Sequence, residues 1–129
     1  LQCEQQSIKN IRIVESDALS VLERLEDNSI ELIMVFFPDP WPKKHHHKRR
    51  LVTPAFATLA SSKLNIGGRM RLATDWLPYA ETILEALQGN PELHGGVSER
   101  WPLRPPTKFE ERAQRLRHCV QDFCYTKVR

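Results

Sequence analysis

An apolar run stopped by alternating prolines constrains this chain more than any other feature. Ile30 to Phe37 is almost wholly apolar after Glu31, which predicts a strand covered on both faces. Pro38, Pro40 and Pro42 each lack a backbone donor, so ladder pairing ends there. Asp39 is thereby left just past a strand's carboxyl end, which is where ligands bind in open α/β sheets. Trp41 follows. Then Lys43 to Arg50 supplies five Lys or Arg and three His without one acid. Such a block beside an isolated carboxylate invites phosphate.

The rest of the chain alternates between strand and helix signals. Ile11-Arg12-Ile13-Val14 reads as a short strand. Asp17 then reads as the N-cap of a helix from Ala18 to about Leu25, with Leu19, Val21, Leu22 and Leu25 on its apolar face. Asp27-Asn28-Ser29 is a turn. Thr53 and Pro54 are a helix start signal, and that helix is predicted to run to about Leu64 and end near Gly67-Gly68. Arg69 to Thr74 is a second strand, again followed by an acid, Asp75. Pro78 to Leu87 reads as a helix. Gly89 to Pro106 reads as loop, with a weak strand at His94 to Ser98. Phe109 to Arg117 reads as a helical turn and Cys119 to Val128 as a final strand. This order predicts an α/β domain with parallel pairing and right-handed crossovers. Asp39 and Asp75 would then lie along one edge of the sheet. Phe36, Phe37, Leu51, Phe56, Ile66, Leu72 and Leu84 are the predicted core.

Composition narrows the classes. With 129 residues the chain fits one domain. No apolar run approaches the roughly 18 residues of a membrane span, and no signal peptide is visible. Cys3, Cys119 and Cys124 read as reduced thiols of a cytoplasmic protein. Net charge is only +3, but it is clustered. Arg112, Arg115, Arg117 and His118 form a second cationic group. Adjacent His45, His46 and His47 cannot easily converge on one ion, so no metal site is predicted.

Three motifs in order, Phe36 to Arg50, Ala73-Thr74-Asp75-Trp76 and Thr107-Lys108-Phe109-Glu110, carry a resemblance. Over nearly its whole length the chain resembles the bacterial-type tRNA (guanine-N7)-methyltransferase family. The resemblance implies a Rossmann-like class I S-adenosylmethionine-dependent methyltransferase fold. It also implies methyl transfer from S-adenosylmethionine to guanine N7 in the variable region of tRNA. It makes Asp39 the catalytic acid on the cofactor side and puts Asp17 beside the cofactor's adenine. Lys43, Asp75, Thr107, Lys108, Phe109 and Glu110 become substrate residues, and His45, Lys48, Arg49 and Arg50 contact tRNA. The chemistry suits an acid at Asp39. Guanine N7 carries a lone pair and no proton, so no base is needed, while positive charge passes from sulfur to purine and a fixed carboxylate stabilises it. A carboxylate such as Glu110 can accept two hydrogen bonds from a guanine edge.

Plainer readings stand beside these. Asp39 could cap a strand exit, and Asp75 could cap the next helix. T-x-x-E is also a capping box, and Trp41 could stack on a base or plug the sheet end. A Gly-rich first strand–helix turn, the usual cofactor cradle, is absent from the 129 residues. The family has that turn upstream, so the resemblance makes this chain the C-terminal part of one catalytic domain, with the N-terminal strands missing. The alternative is a non-catalytic tRNA-binding fragment. Monomer and homodimer both stay open.

Overall fold

The computed structural model describes residues 10–116 and 119–129. The calls on Cys3, Arg117 and His118 lie outside these residues, as does the side chain of Phe109. The elements are α1 (Ala18–Arg24), β1 (Ile30–Phe36), a 3-10 helix (Lys44–Arg49), α2 (Pro54–Lys63), β2 (Leu64–Thr74), α3 (Leu77–Gln88), β3 (Leu93–Ser98), α4 (Lys108–Arg115) and β4 (Gln121–Lys127). The sheet order is β1-β2-β4-β3. β1 and β2 run parallel, joined through α2. β4 runs antiparallel to both β2 and β3, which corrects the expectation of parallel pairing throughout. The α3–β3 connection is short and α4 lies before β4, so β4 inserts between strands already laid down.

Register explains the core. Ile33 pairs Met70, Val35 pairs Leu72, and those two pair Tyr125 and Phe123 across β4. These positions share one face of the pleat, and Phe56, Ala57 and Ala60 of α2 with Tyr79, Ile83 and Leu87 of α3 cover it. Thr53 caps α2 as predicted, its hydroxyl accepting from the Phe56 N–H at 3.1 Å, with Pro54 at the first position. Burial without a hydrogen-bond partner among the described residues pushes the Tyr125 phenol up to about 12.

The opposite face carries Leu32, Met34 and Phe36 of β1 and Arg69, Arg71 and Ala73 of β2. Leu32 and Met34 remain exposed, so β1 is not covered on both faces. Only the carboxyl end of this face is roofed, by the loop between β3 and α4: Trp101 lies 6.1 Å from the Phe36 ring and under the Arg71 guanidinium.

Three further expectations are corrected. Ile11 to Val14 forms no strand; Ile11, Ile13 and Val14 are exposed and have no partner on the outer edge of β1 among the described residues. A strand without a ladder neighbour cannot satisfy its backbone. The helix after Thr53 ends at Lys63, and β2 begins at once, running through Gly67 at φ +87°. Left-handed backbone there suits glycine and accompanies the bulge between the Ile30–Leu64 and Leu32–Arg69 pairs. Ile66, predicted as core, is 70% exposed on that bulge.

Candidate active site

The turn after β1 is strained where the chemistry is expected. Phe37 has φ +51° and Trp41 φ +42°; bulky residues rarely adopt either. Such backbone persists only where the surroundings enforce it, often at functional sites. Between them the Asp39 carboxylate accepts from the Trp41 N–H at 3.0 Å. Asp39 is exposed, so its plainer reading as a turn-former is also realised. The parallel partner β2 ends one strand away, and its own exit carries Asp75. Both acids line one cleft of about 520 Å³ with Phe37, Pro38, Trp76 and Arg112. The structure thus brings together the two strand-end acids that the sequence singled out. Asp75 is not the helix cap: that position is Trp76, whose N–H donates to the Thr74 hydroxyl.

The basic block folds into the 3-10 helix on one rim. Lys43, Lys44, His45, Lys48 and Arg49 are exposed. Trp41 is held from this side, with the Arg49 guanidinium 5.1 Å from its ring and His46 edge-on at 5.6 Å. His45 stacks tilted on His46 at 4.0 Å. Arg50 departs from its neighbours. It is buried, its Nε donates to the Pro40 carbonyl at 2.7 Å, one Nη donates to Thr82 at 3.1 Å, and its plane lies 5.0 Å from the Tyr79 ring. Unlike its exposed neighbours in the basic block, Arg50 turns its Nε to the Pro-rich turn and not to solvent.

The Thr107–Glu110 motif starts α4, and the Thr107 hydroxyl accepts from the Glu110 N–H at 3.1 Å. Lys108 is exposed. Glu110 is buried and faces inward. Arg100 grips it at 2.9 and 3.2 Å, and Arg104 reaches it at 2.5 Å and Asp122 at 2.7 Å. The Arg100 hydrogen bonds, with those of Arg104, hold the Glu110 carboxyl below its ordinary value despite burial, and raise Arg100. Both carboxylate oxygens thus already accept from arginines, where the sequence reading had them meet a guanine edge. The sequence reading missed Arg104, a loop residue, and Asp122, a charged residue inside β4, because neither carries a local signal that it turns inward.

Asp17 occupies the N-cap position of α1, but its side chain makes no capping bond; it accepts from Ser20 at 3.3 Å and stands outside the cleft. No cluster able to hold a metal ion occurs among the described residues.

Comparison with known proteins decides the family. The family model Methyltransf_4, described as "Putative methyltransferase", matches residues 1–123. The chain belongs to this methyltransferase family. It is 47% identical over 129 residues to a tRNA (guanine-N(7)-)-methyltransferase of Pseudomonas entomophila, an alignment covering 95% of this chain and 54% of that protein. It is 46% identical over 132 residues to the Photorhabdus laumondii enzyme of that name, covering 98% of this chain and 55% of that one. The chain thus spans about half the length of the curated relatives it matches. An rRNA methylase structure from Streptococcus thermophilus superposes with a TM-score of 0.64 at 10% identity, covering 99% of this chain and 64% of that one. The fold is the Rossmann-like fold of S-adenosylmethionine-dependent methyltransferases.

Proposed function

We propose that these residues form the substrate side of a tRNA (guanine-N7)-methyltransferase, part of one cytoplasmic catalytic domain that consumes S-adenosylmethionine. The observation that carries the reading is the meeting of Asp39 and Asp75 in one cleft beside a cationic rim. Guanine needs no base to free its N7 lone pair, so the carboxylates of the cleft are left to stabilise charge. Asp39 sits at the strand exit where charge moves from donor to purine, and lowers the energy of that charge transfer electrostatically. Asp75, from the neighbouring strand, is placed to accept from the guanine N–H edge. Arg112 on the cleft wall suits the nucleotide's phosphate, and Lys43, Lys44, Lys48 and Arg49 suit the phosphates flanking it. Thr107 and Lys108 begin α4, the helix that brings Arg112 to the cleft.

The donor side is only partly supplied. Asp39 fits it, whereas Asp17 is exposed and remote from the cleft lining, and no glycine-rich turn is available. The test is Asp39→Ala in the protein expressed from its native reading frame. Lost methyl transfer with retained tRNA affinity supports the enzyme. No methyl transfer by the wild type, with tRNA affinity unchanged by the substitution, would favour a tRNA-binding module instead, and full transfer by the variant would remove Asp39 from the reaction.

A further inference from the structure

The Phe37–Pro42 turn is clasped from both ends by buried guanidiniums. At one end Arg104 has a fully buried side chain. Its plane lies 5.7 Å from the Phe36 ring and 5.4 Å from the Phe37 ring. Its Nη atoms are fixed on Glu110 and Asp122, while Nε has no hydrogen-bond partner among the described residues. Asp122 is itself anchored on β4 and accepts from the Trp101 N–H at 3.2 Å. At the other end Arg50 holds the Pro40 carbonyl and is braced by Thr82 and Tyr79 of α3. Between the two clamps lie the positive-φ residues Phe37 and Trp41 and the carboxylate of Asp39.

We infer that Arg50 and Arg104 are positioning residues for Asp39, and that Glu110 and Asp122 serve the reaction by orienting Arg104. Left-handed backbone at a Phe and a Trp is unfavourable unless something holds it. Beside the Phe37 N–H on the Ala73 carbonyl at 2.8 Å and the Trp41 N–H on Asp39, two guanidiniums hold it, one under the Phe37 ring and one on the Pro40 carbonyl. A guanidinium does this better than an ammonium, because its planar fork can bond two carboxylates and stack on aromatic faces at once. The inference rests on the methyl-transfer reading for its kinetic arm only.

The test uses Arg50→Gln, Arg104→Lys and Phe37→Leu in the protein expressed from its native reading frame. Phe37→Leu removes the stacked face but leaves every ion pair in place, so it covers the case in which Arg104→Lys does not fold. The expected result is a fall in kcat of roughly 10- to 100-fold, as a displacement of about 1 Å produces. The KM for tRNA should stay within about threefold, and the salt slope of tRNA binding should be unchanged by Arg50→Gln. The backbone amide resonances of Asp39 and Trp41 should shift, while that of Met70 in β2 does not. A kcat equal to wild type in folded Phe37→Leu or Arg50→Gln, with Asp39 and Trp41 resonances in place, would overturn the inference. So would a salt slope lowered by about 0.9 in Arg50→Gln, the mark of a lost phosphate contact. If wild type methylates no tRNA, the methyl-transfer reading fails, and the amide resonances alone still decide whether the arginines set the turn.

Discussion

Asp39 and Glu110 are both acids that the sequence marked, and their surroundings give them opposite work. Asp39 is exposed and, among the described residues, accepts from the Trp41 N–H at 3.0 Å, with its carboxylate open to a developing charge. Asp39→Asn keeps the side chain's shape and its turn-forming oxygen but removes the charge. It should lower kcat by about 10²-fold, the usual scale for a lost electrostatic stabiliser, with tRNA affinity within about twofold in filter binding. Glu110 is buried between two arginines, so its contribution to stability shows in acid. Its folded pKa lies below the unfolded value. The stability it contributes is therefore complete above the ordinary glutamate value of about 4.3 and is lost as pH falls through the folded value. A melting temperature flat from pH 8 to 6 and falling below about pH 4.5 is expected, with a shallower fall in Glu110→Gln. An equally steep fall in the variant would move the acid sensitivity elsewhere. Asp39 was legible because prolines on both sides fix its place by local chemistry. Glu110 and Arg50 were not, because whether a charged side chain turns inward depends on partners far along the chain, Arg100 and Arg104 for one and Tyr79 and Thr82 for the other.

At the scale of elements, the helices announced themselves through their ends. Thr53-Pro54 places the start of α2 to the residue, and Thr53→Ala should cost about 1 kcal/mol in denaturant unfolding, as cap removal usually does. Strand limits were harder. β2 starts at Leu64, where sequence chemistry suggested a helix end and a glycine turn, because the register with β1 extends the ladder across a bulge. Ile11 to Val14 has strand-like chemistry and no strand, since a strand is defined by its neighbour. The basic block was legible as a cation source but not as a 3-10 helix wrapped around Trp41. That wrapping points Lys44, Lys48 and Arg49 outward. Replacing all three by Ala should reduce the slope of log affinity against log salt by roughly 2 to 3, near 0.9 per phosphate contact. An unchanged slope in a salt titration would remove this helix from the interface.

For the whole molecule, the alternation of elements predicted the layer type but not the reversal of β4, because the sense of a strand is set by whether its connection crosses to the opposite end of the sheet or stays at the same end. The consequence bears on function. Helices α2 and α3 cover one face of the sheet, while on the other Leu32, Met34, Arg69 and the outer edge of β1 are uncovered among the described residues. A methyl donor bound at the exit of β1 needs a wall on that outer side as well as the Asp39 wall. Among the described residues no strand lies beside that edge of β1. A ligand held on one wall keeps most of its surface in water, and little apolar or hydrogen-bonding gain is left to offset its lost freedom. The 129 residues by themselves should therefore bind S-adenosylmethionine with a dissociation constant on the order of millimolar, about 4 kcal/mol of binding free energy. Calorimetry decides this directly. Micromolar binding would mean that the cleft of Phe37, Asp39 and Asp75 already encloses the donor, and that the second wall is built from these same residues on binding.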